Sequence, residues 1–156
     1  MKKLISVVVP AYNEEEVIEL FHSRMSEVFD KLISYRCEMI FVNDGSTDRT
    51  QLIIDKLAIL DARVSSVALS RNFGKEAAMT AGLDNAKGDA VAIFDVDLQD
   101  QPELLIEFVE RWEQGYDVVY AKRTHRDGES WLKKITASMF YKLMLKISRV
   151  NIPQDT

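Results

Sequence analysis

Apolar, β-rich runs alternate with stretches of helical periodicity along this chain, joined by short connections, and that alternation admits few folds. Residues 4–9 are almost continuously apolar, as expected of a strand buried on both faces. Val17, Phe21, Met25, Val28 and Leu32 then recur as the inner stripe of a helix, with Asn13 placed to cap it and Glu16 to complete a capping box. Residues 39–42 read as a second strand, and Asn43-Asp44-Gly45-Ser46-Thr47 as a turn into a helix carrying Leu52, Ile53, Leu57 and Leu60. Residues 64–69 and 90–94 give a third and a fourth strand around an Ala-rich helix at 75–86 that stops at Lys87-Gly88. A helix over 102–113, with Pro102 in its first turn, and a short fifth strand at 118–120 follow. The expected class is α/β, a mostly parallel sheet flanked by helices.

Charge divides the chain. The net charge is −5, yet eight bases face two acids between Lys122 and Arg149, a net +6 that leaves −11 elsewhere. From Trp131 onward, apolar Leu132, Ile135, Met139, Leu143 and Ile147 recur on one helical face while Lys142, Lys146 and Arg149 share another. Such a basic amphipathic helix either packs on the sheet with its charges solvated or lies against anionic lipid, with Trp131, Phe140 and Tyr141 at the interface. Cys37 is the single cysteine, so no disulfide forms within the chain, and a reducing compartment is expected. The apolar start is cut by Pro10 and is too short for a secretion signal, and no run approaches the ~20 apolar residues of a membrane span. A cytoplasmic protein is expected, with nothing pointing to a nucleic-acid partner. No strand or helix closes the chain at residues 151–156, as expected of a piece of something longer.

The chemistry gathers at strand ends, where open α/β sheets bind ligands. Asp95-Val96-Asp97 leaves the fourth strand, and strand alternation carried on to Gln99 would turn Asp95, Asp97 and Gln99 toward one ion. Magnesium is typically held by one or two carboxylates plus substrate phosphates. Tyr12 offers a ring to a base, and Glu14 and Asp44 offer acceptors to base or ribose. Neither Gly-x-Gly-x-x-Gly nor a Gly-Lys-Ser/Thr phosphate loop is present, so acids line this edge and a diphosphate there needs a cation. That excludes the usual dinucleotide and P-loop classes. Lys75 either approaches a phosphate or simply opens a helix. His22 and His125 have no partner at metal-ligand spacing and read as surface residues, and Cys37 as a small core residue.

The motifs Val7-Val8-Val9-Pro10-Ala11-Tyr12-Asn13-Glu14, Val42-Asn43-Asp44-Gly45-Ser46-Thr47-Asp48 and Asp95-Val96-Asp97-Leu98-Gln99 resemble those of family 2 glycosyltransferases of the GT-A fold. The closer resemblance is to the branch of dolichyl-phosphate mannose synthase and the bacterial polyprenyl-phosphate glucosyltransferases of the GtrB type. Ser70-Arg71-Asn72-Phe73-Gly74-Lys75, Lys122-Arg123-Thr124, Gly128-Glu129-Ser130, Phe140-Tyr141 and Ile152-Pro153-Gln154-Asp155-Thr156 extend it along the whole chain. The resemblance implies a nucleotide-sugar-binding domain over 1–121 and an acceptor-side basic segment over 122–156. It implies that Pro10, Ala11, Tyr12, Glu14, Asp44 and Asp95 hold the nucleotide of a UDP- or GDP-linked sugar. Asp95, Asp97 and Gln99 would bind Mg²⁺ or Mn²⁺, with Asp97 catalytic through that ion.

The implied reaction is inverting hexose transfer to a polyprenyl phosphate at the cytoplasmic face of the membrane, with peripheral contact to anionic lipid. Arg123, Arg126, Lys133 and Lys134 would hold the acceptor phosphate, Arg123 being catalytic as well, and Asp155 would act as a catalytic base or loop organiser. The family pattern has alanine where Val96 stands, a harmless exchange if the side chain enters the core, and proline where Gln101 stands. It continues past Thr156 with a Gly-Asp-Phe-Arg-like segment and often membrane helices. Two other readings share these motifs: transfer to a glycan hydroxyl, which needs a carboxylate base, and a nucleotide-binding fragment without turnover.

Overall fold

Four apolar runs pair side by side, all in parallel, and each is followed by a helix. The computed structural model describes residues 2–121. The strands are β1 (Leu4–Ala11), β2 (Arg36–Asn43), β3 (Val64–Ala68) and β4 (Ala90–Ile93); the helices are α1 (Ile18–Lys31), α2 (Thr50–Leu60), α3 (Lys75–Asn85) and α4 (Leu104–Glu113). The chain divides into two compact units, Met1–Asp117 and Val118–Thr156. The expected basic amphipathic helix, Arg123, Arg126, Lys133, Lys134, His125 and Asp155 lie outside the described residues.

The strand order is β3-β2-β1-β4. The chain steps outward from β1 to β2 to β3 and then returns to the other side of β1. Strand order therefore reverses between β1 and β4, and their C-terminal ends open the crevice where α/β sheets take ligands. The register sets Ala11 beside Asn43 and Val8 beside Ile93, so the ends of β1, β2 and β4 share one edge.

Period-two alternation sorts the core into two layers. Ile5, Val7, Val9, Met39 and Phe41 face α1, α2 and α4, and Phe21 meets Phe41 edge-on at 6.2 Å. Val8, Ile40 and Val42 face Ala78 of α3 on the other side. There α3 lies so close to the sheet that a Cβ at Gly82 would run into the Val8 side chain, which fixes glycine at that position.

The expected inner stripe of α1 is buried, except that Val17 is only half-buried and Ile18 and Phe29 join it. Other expectations change. In α2 the buried positions are Thr50, Ile54 and Leu57, while Leu52 and Leu60 are 67% and 72% exposed. The fully buried Thr50, bonded across to the first loop, sets the rotation of the helix. In β4 Val91 and Ile93 are half-exposed, because β4 is an edge of the described sheet and α3 packs over β1 and β2. Residues 118–120 are not a strand among the described residues, and Val118 and Tyr120 are exposed.

His22 is no free surface residue. Its Nε2 lies 3.1 Å from the Asp61 carboxylate, which Arg63 above all holds well below the usual carboxylate range. Cys37 is partly buried against the core, and burial pushes its thiol up to about 11, so it stays protonated and unreactive at neutral pH. Among the described residues no helix is long and apolar enough to cross a membrane.

Candidate active site

Between the ends of β1 and β4 opens a cavity of about 300 Å³. The end of β1 supplies Pro10, Ala11, Tyr12 and Glu14; the end of β2 supplies Asp44; the end of β4 supplies Asp95, Val96 and Asp97. Of the residues expected at the nucleotide and metal, only Gln99 does not line it. The fourth wall, Asn72, Gly74, Lys75 and Ala78, comes from the β3–α3 loop and α3. Its signal in the sequence is the Ser70–Lys75 motif, whose place in space depends on strand order.

The first two loops are stitched together. Asn13 does not cap α1, whose N-cap is Val17 without a side-chain bond. It takes a left-handed backbone (φ 55°), its N–H donates to Ser46 Oγ at 2.9 Å, and its Oδ1 accepts the Thr47 N–H at 2.9 Å. Glu14 N–H donates to Thr50 Oγ1 and Glu15 N–H to Asp48 Oδ2, at 2.9 and 3.2 Å. Short polar side chains otherwise read as a turn here clamp one loop to the other, which holds Tyr12 and Glu14 at the cavity rim.

Asp44 stitches the third loop to the second. It is 4% exposed, and its two oxygens accept the N–H groups of Phe73 and Gly74 at 2.8 and 2.9 Å. Its own N–H donates to Ala11 O at 2.9 Å. Gly45 has φ 65°, and a Cβ there would overlap the Arg71 backbone, so the two loops meet with no room for a side chain. The Asp44 carboxylate thus serves first as an anchor for the 73–74 backbone.

On the β4 side, Val96 is 3% exposed within the core, so Asp95 and Asp97 on either side of it reach the cavity together. Strand alternation carries no further. β4 ends at Ile93, residues 96–97 turn, and Leu98 takes φ 59°. Gln99 is therefore placed by a turn, its N–H donating to Asp97 Oδ1 at 3.1 Å.

Among the described residues four acids and one base line the cavity, so the field they set there is negative. Glu14 registers this: burial first, then the charges of Asp97, Asp48 and Asp95, raise its carboxyl above the ordinary glutamate value. A raised carboxyl stabilises the fold only while protonated, and this contribution is lost as pH rises through the folded-state value. Glu14→Gln should therefore raise the melting temperature of the ligand-free protein at neutral pH by about 1–2 °C, the shift for a few tenths of a kcal/mol. The gain should fade as pH is lowered into the glutamate range, as a melting series would show; a pH-independent gain would contradict the repulsion.

The donor set suits a hard divalent cation, since oxygen carboxylates of like charge converge where an anion would need neutralising. Among the described residues no three His, Cys, Asp or Glu side chains form a ready cation cage. Lys75 Nζ engages Asp95 at 2.6 Å from Oδ1 and 2.8 Å from Oδ2. The fit is to an ion shared between one or two carboxylates and a bound phosphate.

The family model for glycosyl transferase family 2 matches residues 6–154. The uncharacterized glycosyltransferase YkcC of Bacillus subtilis (strain 168) is 49% identical over 151 residues, covering 97% of this chain and 46% of that relative. The prophage bactoprenol glucosyl transferase homolog of Escherichia coli (strain K12) is 48% identical, covering 97% of this chain and 49% of that relative. The chain thus spans about half the length of the curated relatives it matches. The crystal structure of S. aureus TarS 1–349 in complex with UDP superposes with a TM-score of 0.63 at 27% identity, covering 83% of this chain and 38% of that one. Mannosyltransferase PcManGT from Pyrobaculum calidifontis, in complex with GDP-Man and Mn2+, superposes with a TM-score of 0.62 at 25% identity, covering 79% and 36%. The fold is that of the GT-A glycosyltransferases.

Proposed function

The chain belongs to glycosyl transferase family 2, and on that premise we propose that it is the catalytic domain, or part of it, of an inverting, metal-dependent hexosyltransferase that uses a polyprenyl phosphate as acceptor. The observation that carries this reading is the cavity at the β1/β4 switch point, where Tyr12, Glu14, Asp44, Asp95 and Asp97 meet around a site that suits a cation and a diphosphate. Two structural neighbours hold UDP, and GDP-Man with Mn2+, in folds of this kind. A relative at 48% identity is named as a bactoprenol glucosyl transferase homolog, which supports the lipid phosphate as acceptor.

Pro10, Ala11 and Tyr12 form the wall for the base, with the Tyr12 ring, 43% exposed, free to stack. Glu14 accepts from base or ribose, and Asp44 shapes the opposite wall through Phe73 and Gly74. Asp95 and Asp97, with Gln99 beside them, would hold Mg²⁺ or Mn²⁺, an ion that would supply positive charge to offset that of the departing nucleoside diphosphate.

A polyprenyl monophosphate needs no base, since its second ionisation lies at about 6 and it reaches the site already nucleophilic. It does need positive charge to hold it, a role for Arg123, Arg126, Lys133 and Lys134 in the basic segment. That segment also supports peripheral contact with an anionic membrane at its cytoplasmic face. Asp155 organises the acceptor side. Residues 1–121 serve the donor and 122–156 the acceptor.

The test is to incubate the protein with labelled UDP-glucose or GDP-mannose, Mn²⁺ and a short polyprenyl phosphate. Labelled sugar should pass into the lipid fraction and should cease to do so with EDTA. Metal-dependent nucleotide binding without lipid product would mark a binding module. Transfer to a glycan hydroxyl, with the lipid phosphate unused, would replace the acceptor.

A further inference from the structure

Lys75 is the one base among the described residues lining the cavity, and it is paired with one of the carboxylates proposed for the cation. We infer that Lys75 is a resident counter-cation for Asp95, which it releases when donor diphosphate arrives, so that divalent cation and nucleotide bind interdependently. The inference rests on the nucleotide-sugar reading of the cavity and deepens it.

Three observations lead there. First, Nζ lies within 2.6–2.8 Å of both Asp95 oxygens, so the ammonium occupies the ground a divalent cation would need. The carboxylate cannot serve both fully. Second, Lys75 is the first residue of α3, where the helix dipole disfavours a cation, so its placement answers to charge across the cavity and not to helix formation. Asp44 takes the Phe73 and Gly74 amides just before the helix, and Gly74 at the N-cap supplies no side-chain bond, so the first-turn amides beyond it still favour an anion. Third, the backbone beneath Lys75 is fixed while its side chain is not. Gly74 N–H is held by Asp44, whereas the Lys75 side chain is 52% exposed on a long stem.

In the ligand-free protein the ammonium therefore neutralises Asp95 and weakens the site for a bare cation. Once a diphosphate lies against the α3 N-terminus, the ammonium has an alternative anion and Asp95 becomes available. Lys75 is thus a positioning residue that couples the two ligands, and the coupling is reciprocal.

The test compares the unaltered chain with Lys75→Met by calorimetry, using MnCl₂ alone and then UDP with saturating Mn²⁺. Lys75→Met should bind Mn²⁺ alone more tightly, by roughly fivefold, as expected on removing a half-exposed ion pair that competes for the site. It should bind UDP with Mn²⁺ more weakly, by a similar factor. Opposite signs are the diagnostic, because a merely structural defect would weaken both, and a melting curve shows that the variant folds. Failure of the unaltered chain to bind UDP with Mn²⁺ would overturn the reading beneath the inference. If that binding is intact and Lys75→Met binds Mn²⁺ alone no more tightly, only the role of Lys75 is overturned.

Discussion

Replacing Asp97 by alanine should abolish the Mn²⁺-dependent part of UDP affinity while leaving the melting temperature almost unchanged. The two effects separate because the Asp97 carboxylate is exposed and, among the described residues, makes a single local bond, accepting the Gln99 N–H at 3.1 Å. Loss of such a solvated turn bond costs about 0.5–1 kcal/mol at most. Its proposed work is elsewhere, in holding the cation that offsets the diphosphate, a contribution worth several kcal/mol and so about 10²-fold or more in affinity and turnover. Calorimetry of UDP with and without Mn²⁺, beside a thermal melt, reads both quantities. Mn²⁺-stimulated UDP binding that survives in Asp97→Ala would remove the metal from the Asp95–Asp97 turn.

Asp44→Asn should behave in the opposite way, losing stability and nucleotide affinity together. Both Asp44 oxygens accept backbone N–H groups, from Phe73 and Gly74, in a residue that is 4% exposed. Asparagine keeps the shape but turns one acceptor into an NH₂ donor, which then faces an N–H donor. A charge-assisted bond of this kind is worth about 1.5–3 kcal/mol, so a loss of about 2–3 kcal/mol is expected in urea unfolding. Because Asn72, Gly74 and Lys75 line the cavity from that loop, UDP affinity should fall with it. Faster hydrogen exchange at the Phe73 and Gly74 amides would locate the damage. An Asp44→Asn protein of unchanged stability would show that the two amides do not depend on the carboxylate.

These two residues mark how far the site was legible beforehand. Asp97 was readable because a Asp-x-Asp turn after an apolar run is local: the burial of Val96 and the exposure of its neighbours follow from the strand that precedes them. Asp44 lines the cavity from a strand end visible in the sequence, but nothing nearby in the chain reveals that its oxygens go to amides about thirty residues on. Asn13 misled for the same reason. Its neighbours offer a helix to cap, whereas in the fold its side chain and amide go to Thr47 and Ser46. Strand periodicity would turn Gln99 to the side of Asp95 and Asp97, and the positive φ of Leu98 interrupts that periodicity, so a turn places it instead.

What the amino-acid order determined alone is whatever depends on a few consecutive residues: the four described strands, the helices between them, their parallel sense, and the acids at the strand ends. Only the tertiary structure decided which ends became neighbours. The order β3-β2-β1-β4 puts Glu14 against Asp95 and Asp97 and lets Lys75 reach across to Asp95. The physical reason is range. Periodicity and capping act over one turn or one pleat, whereas the partners of a carboxylate are whichever groups the packing of the whole sheet brings within about 3 Å of it.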